Sequence, residues 1–356
     1  MTSRTFATLQ KNLLDWFAVH QRDLPWRRSY LPYEIWISEI MLQQTQVKTV
    51  LPYYQRWMER FPDIAAVAEA SEEELLKYWE GMGYYSRVRN IHKAAQRLVM
   101  ENGGTFPREH AAVLKLPGIG RYTAGAVMSV AFNQDFPVVD GNVERVFARL
   151  FDMDSPVKEK ESQKRIWETA RALIPAGKAR EFNQALMELG ALICLPRNPL
   201  CGECPVNSSC ESRRKGTVEA RPVMAKRKSL QAIEVALGLL LCQGKVFIQK
   251  RPPGGLMPHL WEFPGGKVEE GETPEAALVR EFREELELDI CGLDKITRLR
   301  HNYTSFKVTL HAYFCTLKDS TQQPVIRTAV DARWVTLEAL QDFAFPAANR
   351  KLIQLL

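Results

Sequence analysis

The chain has 356 residues, more than one ordinary hydrophobic core supports, so two cores are expected. Hydrophobic residues make up 46% and charged residues 25%, which excludes a disordered or fibrous chain; no long uncharged apolar run or basic leader is present, so a cytoplasmic, non-membrane protein is expected. The net charge of +6 suits a polyanionic partner such as nucleic acid but does not by itself require one.

From Thr5 to about Ile193 the apolar residues recur three and four apart, as in LLDWFAVH, EIWISEIMLQQ and AVMSVAF, predicting a region that is almost entirely helical. Within the second stretch Glu39 is a lone acid among Ile35, Trp36, Ile40 and Met41. A solvated surface glutamate is the commoner outcome, but these neighbours favour a desolvated carboxyl that holds its proton near neutral pH. Further on, LPGIGRYTAG places Gly118 and Gly120 in a tight turn between helices, about 112–126, where backbone amides and a helix N-terminus can meet a phosphate. Next, VVDGNV puts Asp140 at a helix entrance, where it serves as N-cap and as an anion able to steady positive charge on a sugar.

Cys194, Cys201, Cys204 and Cys210 follow, separated by six, two and five residues. This is a metal or cluster spacing, not a disulfide framework, and by spacing alone zinc would accept the four thiolates as readily as iron–sulfur. Arg197, Arg213, Arg214 and Lys215 add charge around the loop that suits a polyanion. Residues 212–230 are basic and aperiodic and read as a linker between a helical region, 1–211, and a C-terminal region, 231–356. In the latter, IEVALGLLLC, KVFIQK and FKVTLHAYFC read as strands and TPEAALVREFREELEL as a helix, predicting an α+β domain. Cys242, Cys291 and Cys315 fall in the strand-like segments and are expected to be inert core residues. Glu281, Glu284 and Glu285 share a helical face and could offer oxygens to Mg²⁺.

LPGIGRYTAG with VDGNV, LPWR, PYEIWISEIMLQQTQV, WEGMGYYSRVRN and the four-cysteine loop resemble the MutY-type adenine DNA glycosylases of the helix-hairpin-helix superfamily over roughly residues 8–211. The resemblance implies a multi-domain chain: an all-α glycosylase module with a [4Fe–4S] loop at 194–210, then an α+β Nudix-fold domain. It implies hydrolysis of the adenine glycosidic bond in duplex DNA opposite 8-oxoguanine or guanine, by a monomeric enzyme. Glu39 would protonate the base, with Asp140, Tyr122 and Asn142 lining the site and Arg27 beside the extruded adenine. Gln44 and Tyr84 would press into the base stack. Endonuclease III, a relative with a similar loop, carries its nucleophilic lysine where Tyr122 stands, so no efficient strand-cleaving lyase step is expected.

The segment GKVEEGETPEAALVREFREELEL matches the Nudix signature from Gly266 through Glu272, Arg280, Glu281, Glu284 and Glu285, except that Glu287 replaces its last glycine. KRPPGGLMPHLWEFPGGK and FPAAN resemble MutT-type 8-oxo-dGTP hydrolases, with Arg251 as a phosphate contact and Asn349 on the oxidised guanine. This adds a second expectation, Mg²⁺-dependent hydrolysis of 8-oxo-dGTP, with Asp331 as a further ligand. Tyr303, Thr304 and Ser305 occupy the place of the family's lesion-reading loop.

Overall fold

The computed structural model describes residues 3–224, 231–303 and 306–356, with side chains from residue 6 onward. It divides into two compact units, Met1–Glu69 with Asn90–Arg227, and Ala70–Arg89 with Lys228–Leu356. Among the described residues no helix is long and apolar enough to cross a membrane.

The first unit is helical, and its core gathers Leu9, Leu13 and Phe17 from helix Ser3–His20, Val143 and Phe147 from helix Gly141–Leu150, and Phe182, Leu186 and Leu189 from helix Ala179–Leu192. Helix Pro32–Leu42 starts on a proline, whose fixed φ suits the first turn, and buries every residue from Ile35 to Met41. Such a helix is packed on all sides, so its lone acid is enclosed with it. The chain leaves it through Gln44 in the left-handed region, φ 57°.

The predicted hairpin is present, and Gly118 explains its own identity. Its φ is 73°, and a Cβ there would stand 2.5 Å from the Cβ of Asn90. Helix Arg121–Ala126 follows; AVMSVAF does not continue it as an ordinary helix but widens into a π-helical turn over Val127–Ala131. Residues 211–224 do not form a free linker. Helix Glu211–Lys215 buries Ser212, and Arg149 donates to the carbonyls of Val218 and Arg221 at 3.0 Å, tying this stretch to the first unit.

The second unit is built on a mixed sheet of β1 (Gln231–Cys242), β2 (Lys245–Lys250), β3 (Trp261–Glu262), β4 (Gly265–Lys267), β5 (Ile290–Asn302), β6 (Phe306–Leu317) and β7 (Asp331–Val335). The order is β3-β2-β1-β6-β5, with β4 on β1 and β7 on β2; β1 and β6 run parallel, in register from Gln231↔Phe306 to Leu240↔Cys315. Alternation along the strands sends Leu237, Leu239 and Ile248 to one face, under helix Ala347–Ile353. Ala236, Leu240 and Phe247 go to the other, under helix Pro274–Leu286.

Sequence periodicity assigns residues 70–89 to the helical region, but their contacts belong to this second unit. Glu80 accepts from the Phe345 amide (2.9 Å) and from Arg350 (2.5 Å), Tyr85 donates to the Phe345 carbonyl, and the Trp261 indole donates to Glu73. These polar pairings lie far apart in sequence and leave no periodic trace.

Candidate active site

Residues of the first unit line a cavity of about 960 Å³ that includes Arg27, Glu39, Gln44, Gly120, Tyr122, Asp140 and Asn142. The buried helix Pro32–Leu42 delivers Glu39, and the Tyr122 hydroxyl, on the first turn after the hairpin, donates to Glu39 Oε2. Burial pushes the Glu39 carboxyl up to about 7 and the Asp140 charge adds to this, while the Tyr122 hydrogen bond and the Arg27 charge pull it down. Tyr122 is itself enclosed and held well above the usual phenol range, first by burial and then by Glu39, so it remains a donor.

Asp140 is the N-cap the sequence predicts. Its Oδ1 accepts from the Val143 amide and its Oδ2 from the Asn142 amide group, both at 2.8 Å. Burial raises its carboxyl above the ordinary value, and these hydrogen bonds together with the Arg145 charge limit the rise. Arg145 in turn donates to Asn142 Oδ1 (2.9 Å), the Gly190 carbonyl (2.8 Å) and the Cys194 carbonyl (2.8 Å). The site thus holds a carboxyl ready to give a proton, a capped carboxylate and an oriented amide.

Behind them lie residues that sequence reading passes over. Glu188, fully buried, accepts from the Arg22 amide and side chain and from Arg27, with guanidinium distances from 2.7 to 3.3 Å. Burial would raise its carboxyl, but the two arginines outweigh that and hold it at about 2. A signal was available: Glu188 sits in LMELG as Glu39 sits in ISEIM, a single acid between apolar residues.

Gln44 and Tyr84 are both exposed and both in the left-handed region, Tyr84 at φ 48°, so Tyr84 is not a core aromatic. Nothing stands within 4 Å of a Cβ built on Gly120, which leaves the hairpin amides approachable. Of the basic residues near the cysteine loop, Arg213 donates to the Cys201 carbonyl, Arg214 pairs with Glu211 and Lys215 pairs with Asp152, so part of that charge is already tied internally.

Cys194, Cys201, Cys204 and Cys210 line one cavity beside Arg149, whose Nη1 lies 3.4 Å from Cys194 Sγ. Burial lifts Cys204 to about 11 and raises Cys210, so the thiolate form is favoured only with a bound metal's positive charge beside it. Among the described residues no three His, Cys, Asp or Glu side chains converge on a point suited to one ion. The four thiols line one cavity, a donor set that fits a thiolate-bound metal group. Of the other three cysteines, Cys315 is buried as expected, but Cys242 is half-buried and Cys291 is exposed at the sheet edge.

In the second unit, Glu281 packs against Gly266, where a Cβ would collide with its carboxylate at 2.2 Å. The three carboxylates the sequence offers to Mg²⁺, Glu281, Glu284 and Glu285, have side-chain partners here. Arg280 takes Glu281 at 2.9 Å and Glu284 at 3.1 Å, and Gln249 takes Glu285 at 2.9 Å. Arg251 is spent on Glu262, and Asp331 pairs with Arg333 at 3.1 Å. Asn349 is buried in helix Ala347–Ile353, and Tyr303 packs half-buried against His301 and Phe306. Thr304 and Ser305 lie outside the described residues.

Known proteins share each part of this arrangement. A family profile described as HhH-GPD superfamily base excision DNA repair protein matches residues 37–172, one for the iron–sulfur binding domain of endonuclease III matches 194–210, and a NUDIX domain profile matches 236–355. Fold and site therefore define a helix-hairpin-helix base-excision protein with an iron–sulfur cluster and a Nudix-fold domain. An adenine DNA glycosylase of Rattus norvegicus is 33% identical over 97% of this chain and 77% of its own length, and one of Homo sapiens is 34% identical over 96% and 73%. The chain belongs to the adenine DNA glycosylase family. Among solved structures, a thermostable thymine-DNA glycosylase superposes with TM-score 0.55 at 32% identity, covering 60% of this chain and 98% of its own. A non-covalent endonuclease III–DNA complex superposes at 0.52 with 26% identity, over 61% and 99%.

Proposed function

We propose that the chain removes adenine from duplex DNA, where it lies opposite 8-oxoguanine or guanine, by hydrolysing the bond between base and deoxyribose. The observation that carries this reading is Glu39, enclosed, drawn up to about 7 and placed with Asp140 on one cavity. Glu39 gives its proton to the adenine ring so that the base departs neutral; Asp140 steadies the cationic sugar; Tyr122 and Asn142 orient the two carboxyls. Arg27 lies along the extruded base.

Gly118 and Gly120 present the hairpin to a phosphate, and Gln44 and Tyr84 enter the stack. The C-terminal domain reads the oxidised guanine through the segment at Tyr303, and the cysteines hold a [4Fe–4S] cluster that shapes their loop. A phenol in place of the lysine supports hydrolysis without a lyase step. Hydrolysis of 8-oxo-dGTP, the second reading, is not favoured; in the ligand-free chain Glu281 and Glu284 pair with Arg280 and Glu285 with Gln249.

The test is single-turnover excision from an A:8-oxoguanine duplex, without alkali and then with it. The wild type should yield free adenine and nick the strand only with alkali. Glu39→Gln should slow excision at least about a hundredfold. Excision by Glu39→Gln at the wild-type rate removes Glu39 as the acid.

A further inference from the structure

Arg27 lines the cavity near Glu39, and its charge draws the Glu39 proton away. An acid catalyst that must stay protonated is thus built beside a cation that opposes it. The cavity also holds Arg22, Lys48, Arg121 and Lys158, against Glu144, Glu188 and Asp140; Lys158 is paired with Glu144 at 2.8 Å. The remaining feature is the carboxylate behind Arg27. Glu188 Oε1 accepts from the Arg22 amide (2.8 Å), Arg22 Nε (2.8 Å) and Arg27 Nη1 (3.3 Å), and Oε2 accepts from Arg22 Nη2 (2.7 Å) and Arg27 Nη2 (3.0 Å). Arg27 is further fixed by the Arg22 carbonyl at 3.1 Å.

We infer that Glu188 is a positioning residue for the excision reaction: it clamps the Arg27 guanidinium against the cavity wall and offsets part of the charge of the arginine pair, so that Arg27 can lie beside an extruded base while Glu39 keeps its proton. The inference rests on Glu39 being the acid. A neutral residue behind Arg27 could pack as well, but it would leave Arg27, whose side chain is 9% exposed, and the partly exposed Arg22 without the buried carboxylate they share, and the Arg27 charge beside Glu39 would be less compensated. The bidentate fork also gives Arg27 one orientation, which a single hydrogen bond would not.

The clamp carries one net positive charge, two arginines against one carboxylate. Glu188→Gln raises it to two, Arg22→Gln lowers it to zero, and the double variant returns it to one. Single-turnover excision measured across pH on the full chain with its cluster reads the alkaline limb where Glu39 loses its proton. That limb should move down by about half to one pH unit in Glu188→Gln, up in Arg22→Gln, and back to within about 0.3 unit of wild type in the double variant. Limbs that stay fixed while rates fall, or a double variant slower and no closer to wild type than either single one, would make Glu188 a packing residue and overturn the inference. If Glu188→Gln fails to fold, the upward shift in Arg22→Gln decides alone. A wild-type profile with no alkaline limb would sink the Glu39 assignment instead, which keeps the two failures apart.

Discussion

Glu39 carries two consequences at the scale of a single residue. Its folded carboxyl sits at about 7 against an ordinary 4.5, so between these values the folded chain keeps a proton that the unfolded chain releases. Stability from this group is whole below about pH 4.5 and declines as pH rises through 7. Glu39→Gln, which cannot ionise, should therefore be more stable than wild type at pH 8, by about 3 kcal/mol, and about equal at pH 4.5; chemical denaturation at both values checks this. Tyr122→Phe removes the hydrogen bond that pulls Glu39 down, so the alkaline limb of excision should move up in pH. A downward move would mean that the phenol is not what stabilises the carboxylate. Glu39 is legible in sequence because one acid inside ISEIM contradicts its surroundings. Glu188 leaves the same mark in LMELG, but its partners Arg22 and Arg27 cannot be read from it, because they lie more than 160 positions away.

At the scale of elements, local rules explain what sequence could reach. Asp140 caps a helix because an acid followed by an apolar-periodic run does so, and the hairpin glycines announce a turn whatever surrounds it. The two glycines nonetheless do different work. Gly118→Ala would force a left-handed alanine against Asn90, costing about 2–4 kcal/mol. Gly120→Ala meets nothing within 4 Å at φ −93°, so its stability should change by no more than about 0.5 kcal/mol while affinity for duplex DNA falls, because the new methyl stands where a phosphate would approach. Equal stability losses in both, read by urea denaturation beside a DNA-binding titration, would contradict this division. The Nudix helix shows the opposite limit. Its spacing correctly places three acids on neighbouring turns, but spacing cannot tell that Arg280, part of the same signature, reaches Glu272, Glu281 and Glu284 together. The signature's missing glycine has a visible cost too, since Glu287 ends that helix at φ 56°, where glycine is the unstrained choice.

For the whole molecule, the division of the chain into units is where periodicity has least to say. Residues 70–89 look like any other helical segment, yet their polar groups are completed by residues 258–350 within the same unit. Glu80 is the centre of this: its carboxylate takes the Phe345 amide, Arg350 and Lys77 (2.9 Å) at once. Removing it leaves a backbone amide and a guanidinium without their acceptor in a largely enclosed place, a loss of about 2–4 kcal/mol. Because both partners lose the same anchor, Glu80→Ala should speed amide hydrogen exchange in 70–85 and in 343–353 together, by tenfold or more, and leave helix Gly141–Leu150 in the other unit unchanged. Exchange that rises only in 70–85 would mean that this segment frays on its own and does not share a cooperative unit with the sheet. Tyr84 lies at the turn of the same segment, so a slower excision rate in Glu80→Ala, with Glu39 and its pH limb unaltered, is expected from the lost anchoring alone.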